Sequence, residues 1–192
     1  MNLVTSSSRR RIWFFLGLAA AGVYCACLVT GCKARQSETI PATPASPPKP
    51  LARQPVTAVP AVKRHIYPAD GDPKAEIALA LKRARRERKR VILEFGGDWC
   101  GDCQVLDLYL HQSPNAEILA KDYIVVPIDI GHFDKNVDTA DQYGVPLKQG
   151  VPALAVLDRN GKVLYSQKTG EFGDMRYMHA ASVTEFLNRW KA

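Results

Sequence analysis

The 192-residue chain is 46% hydrophobic and 23% charged, which excludes collagen, coiled coil and full disorder and allows one domain or two small ones. Five cysteines are too few for a disulfide scaffold. The formal charge of +7 belongs to the ends: eight of the 26 Lys/Arg but only Glu38 of the 19 acids precede Arg64, leaving 18 of each beyond it, so the folded part is neutral and nothing indicates a nucleic-acid partner.

Arg9, Arg10 and Arg11 precede an uncharged apolar run from Ile12 to Thr30. A basic start, an apolar stretch and small residues before a cut describe a secretory signal over residues 1–31. The run ends Val29-Thr30-Gly31-Cys32, which resembles the lipobox of bacterial lipoproteins. That resemblance implies cleavage before Cys32 and acylation of it, anchoring the mature chain to a membrane. The alternative is an uncleaved membrane anchor, since the apolar run is just long enough to cross a bilayer. Either way the rest of the chain is exported. Lys33 is not the aspartate that retains enteric lipoproteins in the inner membrane, so the outer membrane stays open.

Residues 32–63 read as a tether, with seven prolines between Pro41 and Pro60 favouring extended polyproline II. The domain is expected over 64–192. Asp72-Pro73 supplies an N-cap and first-turn proline for a helix carrying Ile77, Leu81 and Ala84, ending in the basic run Lys82 to Arg90. Val91 to Phe95 is a short buried strand, and a helix follows from Cys100 to about His111. Ser113-Pro114 is expected to cap a short helix through Leu119, and Tyr123 to Ile130 to form a strand. Residues 131–150 form a polar loop with a short helix ending at Tyr143-Gly144. Two strands, Ala153 to Leu157 and Lys162 to Tyr165, flank the turn Asp158-Arg159-Asn160-Gly161. Ser182-Val183-Thr184-Glu185 has the pattern of a capping box opening the last helix. The order predicts an α/β domain, a central mixed sheet flanked by helices on both faces.

The chemistry is concentrated in Cys100 and Cys103, two residues apart at a strand-to-helix junction. A helix N-terminus offers unpaired N–H groups and partial positive charge, which favour a thiolate at Cys100. Cys103, one turn on, is placed to attack a mixed disulfide at Cys100, giving a reversible two-electron couple. Three other readings use the same pair. A zinc site needs two further ligands, and His65, His111, His132 and His179 are scattered. A c-type haem attachment needs histidine where Gln104 stands. A structural disulfide over so small a loop would stabilise little.

The segments Phe95-Gly96-Gly97-Asp98-Trp99-Cys100-Gly101-Asp102-Cys103 and Gly150-Val151-Pro152-Ala153-Leu154 resemble the active site and cis-proline loop of the thioredoxin superfamily. The similarity covers about residues 75–190 and is nearest to exported thioredoxin-like domains, including that of the transmembrane reductase passing electrons to the periplasm. It implies the thioredoxin fold, with Cys100 as nucleophile, Cys103 as resolving thiol and Trp99 covering the site. It also implies that Pro152 is cis, leaving the Val151 backbone free to pair with substrate. Glu94, six residues before Cys100, stands where thioredoxins carry a buried acid that takes the proton of the resolving cysteine, and burial would raise its pKa towards neutrality. Gly101 and Asp102 would tune the couple. Asp102 departs from the family's proline: its charge opposes a thiolate at Cys100 while the helix N-terminus stabilises it, so the potential cannot be copied from thioredoxin.

The resulting expectation is an exported, lipid-anchored thiol–disulfide oxidoreductase reducing protein disulfides, with electrons from a membrane reductase. No cofactor beyond the Cys100–Cys103 disulfide and no metal is required. The alternatives are an oxidase or isomerase, a metallochaperone using the same cysteines with His132, and a non-catalytic envelope lipoprotein. The loop 131–150 is a candidate for partner selection.

Overall fold

The computed structural model describes residues 55–60 and 62–192. The expected signal, lipidation site and most of the tether lie outside these residues. Among the described residues no helix is long and apolar enough to cross a membrane.

Four strands form one mixed sheet in the order β2-β1-β3-β4. They are β1 (Arg90–Gly96), β2 (Tyr123–Asp129), β3 (Ala153–Leu157) and β4 (Val163–Ser166). β1 runs parallel to β2 and antiparallel to β3, with Glu94 opposite Pro127 on one side and Leu154 on the other. β3 and β4 form an antiparallel hairpin with an irregularity at Val156/Leu157. The parallel pair needs a crossover, which helices α2 (Gly101–Leu110) and α3 (Asn115–Asp122) supply.

β1 is buried on both faces, and its alternation divides the core in two. Val91, Leu93 and Phe95 pack with Ile77, Ala80 and Ala84 of α1 (Pro73–Glu87). Ile92 packs on the opposite side with Val105 and Leu106 of α2 and Val183 and Leu187 of α5 (Ala180–Trp190). Helices therefore cover both faces of the sheet. The short α4 (Val137–Gln142) lies in the long loop and buries Ala140 in the first core.

The ends of the helices follow local chemistry where a cap is available. Asp72 accepts from the backbone N–H groups of Lys74 and Ala75, and Arg88 closes α1 in the left-handed region. Two expected caps are not used. Ser113 does not cap α3, which starts after Pro114 without a side-chain cap and runs to Asp122. The buried Asn115 fixes that end instead, donating to Tyr109 O and accepting from the Thr184 hydroxyl. The last helix begins at Ala180, with His179 at its N-cap, so Ser182 lies inside the first turn with its N–H bonded to His179 O. The Thr184 hydroxyl bonds Ala180 O one turn back and Asn115 Oδ1 across the fold, so the turn that holds Ser182 is already helical.

The packed chain begins before Arg64. The N–H groups of Val56 and Thr57 both donate to Arg176 O, and the Thr57 hydroxyl bonds that of Tyr109. The segment then runs beside the start of α2, where Gln104 receives Arg64 N–H at 2.8 Å and donates to Arg64 O at 3.0 Å.

Candidate active site

β1 delivers the chain to the sheet's edge at Gly96, and the turn Gly97–Cys100, closed by Cys100 N–H on Gly97 O, feeds it into α2. Cys100 is the N-cap: its Sγ accepts the Cys103 N–H at 3.1 Å. Cys100 and Cys103 form a disulfide across the first turn, with Cα atoms 5.2 Å apart. The cysteines differ in access, Cys100 being 5% exposed and Cys103 wholly buried. An incoming sulfur can therefore meet only Cys100. A charge developing there faces the positive end of α2 and an N–H already aimed at it.

The loop before β3 forms the opposite wall. Val151–Pro152 is a cis peptide, and Val151 O lies 3.5 Å from Cys100 Sγ. The buried Gln167 clamps this loop, donating from Nε2 to Pro152 O and accepting Leu154 N–H at Oε1. Gly170 must be glycine: its φ is +72°, and a Cβ there would overlap Gln149 O.

Trp99 stands at the rim, 37% exposed, with its indole N–H on Gly131 O at 2.6 Å. His132 stacks on it at 5.2 Å and Phe133, itself exposed, tilts against it at 5.7 Å. These three rings make an aromatic cluster at the residue that precedes Cys100. Gly101 leaves room for Val59 of the preceding segment, whose Cγ2 would lie 3.2 Å from a Cβ at that position.

Asp102 is not a free charge beside the cysteines. It is buried and receives the Arg176 backbone N–H at 2.9 Å, Nε at 3.2 Å and Nη2 at 3.1 Å. Its charge is thus neutralised locally by a residue 74 positions away.

Glu94 is buried, and the Tyr67 hydroxyl donates to its Oε1 at 2.6 Å. Burial pushes this carboxyl up to about 7; Asp107 adds to the rise, while the Tyr67 hydrogen bond and His111 oppose it. A cleft of about 400 Å³ reaches Glu94 from the far side and is lined by Arg64, His65, Asp107 and His111. Among the described residues no group of three or more His, Cys, Asp or Glu side chains could hold a metal.

A family model described as thioredoxin-like matches residues 72–159. A solved structure titled a disulphide isomerase, from Xylella fastidiosa Temecula1, is 36% identical, covering 64% of this chain and 94% of its own at a TM-score of 0.61. The chain belongs to the thioredoxin-like family. The thiol:disulfide interchange protein DsbD of Pseudomonas fluorescens is 28% identical over 123 residues, 60% of this chain; the match spans only 18% of that relative's length.

Trp99, Cys100, Gly101 and Cys103 follow the C-terminal end of the central strand β1, Val151 and Pro152 precede the adjacent start of β3, and Glu94 lies within β1 between β2 and β3. Three further site residues had no local signal: Tyr67, Arg176 and Gln167. Tyr67 lies outside the matched family segment, in a stretch without periodicity. Arg176 acts on Asp102 in the first turn of α2, 74 positions away, and Gln167 on the Pro152 loop across the β3–β4 hairpin.

Proposed function

We propose that this chain is an exported, membrane-anchored thiol–disulfide oxidoreductase that reduces protein disulfides by exchange through Cys100 and Cys103. The observation that carries the reading is the asymmetry of the pair. Cys100 caps α2 and alone meets solvent, while Cys103 is buried behind it. The family membership and the named relatives support the same chemistry. In this reading the Cys100 thiolate attacks a substrate disulfide, forming a mixed disulfide and releasing one substrate thiolate. Cys103 then attacks Cys100 Sγ, closing the Cys100–Cys103 disulfide and releasing the second substrate thiolate. Two electrons pass to the substrate, and a membrane reductase restores the dithiol. Glu94 serves as the proton acceptor for Cys103, Trp99 and the Val151–Pro152 loop hold the substrate chain, and Gly101 and Asp102 set the couple. Cys32 carries the lipid.

The test has two parts. The reduced full chain, mixed with a disulfide-bonded protein, generates two substrate thiols per turnover; Cys100→Ser abolishes this, and Cys103→Ser accumulates the mixed disulfide. In cells given labelled palmitate, the chain takes up label and Cys32→Ser loses it. Absence of thiol release contradicts the enzymatic reading, and absence of label contradicts the anchor.

A second direction, isomerisation or oxidation, is favoured by one observation: the relative 36% identical to this chain is named a disulphide isomerase. Reactivation of a scrambled disulfide protein by the reduced chain without net thiol production would select it.

A further inference from the structure

Beside Glu94 stands a group that the thioredoxin-like segment does not supply. The Tyr67 hydroxyl donates to Glu94 Oε1. A Cβ built on Gly96 would lie 2.5 Å from that hydroxyl oxygen and 2.8 Å from Cys103 Sγ. The hydroxyl and the sulfur are therefore no further apart than those two distances laid end to end, and Gly96 puts no side chain at the point they share. We propose that the Tyr67 hydroxyl is the proton bridge between Cys103 and Glu94, and that the cleft behind Glu94 is where the proton leaves. This rests on the oxidoreductase reading above and adds the path its resolving step uses.

The tyrosine is held there by the active-site loop itself. Asp98 Oδ1 accepts the N–H groups of both Ile66 and Tyr67, at 2.9 and 3.1 Å, and its Oδ2 lies 2.7 Å from His65 Nδ1. Gln104, immediately after Cys103, clamps Arg64 through both backbone groups. The residues on either side of the cysteine pair thus fix the segment that carries Tyr67. Tyr67 is 3% exposed, so its hydroxyl exchanges protons with its neighbours and not with bulk water.

Cys103 Sγ–H gives its proton to the Tyr67 oxygen as Tyr67 gives its own proton to ionised Glu94. The Cys103 sulfur then attacks Cys100 Sγ, the Cys100–substrate S–S bond breaks, and the substrate sulfur leaves with the electron pair. Glu94 ends protonated and Tyr67 ends neutral. Glu94 then releases the proton into the cleft, where Asp107 is paired with Arg64 Nη1 at 2.9 Å and with His111 Nδ1 at 3.0 Å. The titratable and charged groups around the relay are Tyr67, His65 and Arg64 from the leading segment, Asp98 from the turn, and Asp107 and His111 from α2. Neither β2 nor β3 places one opposite Glu94, where Pro127 and Leu154 stand.

The test uses the full chain in detergent with Cys25, Cys27 and Cys32 replaced by serine, reduced and mixed with dithiobis-nitrobenzoate in a stopped-flow instrument. The first release of nitrothiobenzoate reports attack by Cys100 and the second reports closure by Cys103. Tyr67→Phe, which removes only the oxygen, slows the second release at pH 7 by at least about tenfold and leaves the first unchanged. Glu94→Gln does the same, the double variant is no slower than either single, and both singles lose the rise in second-release rate that the parent shows near neutral pH. A second release within twofold of the parent in Tyr67→Phe, or additive losses in the double variant, overturns the bridge. If the parent itself gives no second release, the oxidoreductase reading fails instead. Should Tyr67→Phe not fold, the pH profile of Glu94→Gln decides: a profile unchanged from the parent overturns the relay.

Discussion

Arg176 and Asp102 meet across 74 residues at the start of α2: one carboxylate takes the arginine's backbone N–H, Nε and Nη2. The carboxylate that stands where thioredoxin has proline is therefore held as half of an ion pair, and its opposition to a thiolate at Cys100 is blunted. Arg176→Met removes the guanidinium and leaves the carboxylate unpaired. The expected cost is about 1–3 kcal/mol in stability, below that of a fully buried pair because the arginine side chain is 41% exposed. Alkylation of Cys100 in the reduced chain slows several-fold at pH 7 as its pKa rises, and adding Asp102→Asn restores it. Unchanged alkylation in Arg176→Met would show that Asp102 does not act on Cys100.

Glu94 gives the fold a pH signature. Its carboxyl is raised from 4.5 to about 7 in the native state. Below pH 4.5 both folded and unfolded chains hold the proton. Between 4.5 and 7 the unfolded chain has lost it and the folded one has not, so stability falls as pH rises, by about 3 kcal/mol in all. Above 7 the contribution is constant. Denaturant melts of Glu94→Gln against the parent from pH 4 to 8 should show the variant gaining on the parent across that window.

Residues 56–60 belong to the packed chain. Deleting Val56 to Pro60 removes two N–H bonds to Arg176 O, the Thr57–Tyr109 hydroxyl pair and the Val59 contact at Gly101. The expected loss is about 1–2 kcal/mol. A thermal melt would detect it, and an unchanged melting temperature would place the domain's start nearer Arg64.

The elements were legible because their signals are local. A short, largely apolar run marked β1, Asp72-Pro73 marked α1, and Asn160-Gly161 marked the hairpin. Ser182 carries a capping pattern, yet the helix starts two residues earlier at Ala180, and Ser182 lies within its first turn with its N–H on His179 O. The same division runs through the site. The cysteine pair, Glu94 and Pro152 sit in recognisable strings. Tyr67 and Arg176 matter only because folding brings them to residues 27 and 74 positions away. No window of sequence contains those relationships.

Every step proposed for the site requires that Cys100 and Cys103 form a reversible two-electron couple. The most direct measurement is a glutathione redox titration of the full chain with Cys25, Cys27 and Cys32 replaced by serine, quenched by alkylation and read by mass. One transition is expected, in which both cysteines lose alkylation together, with a midpoint nearer thioredoxin's about −270 mV than the about −120 mV of a strong oxidant. Cysteines that stay independently alkylated at every glutathione ratio, or that only form mixed disulfides with glutathione, would contradict it.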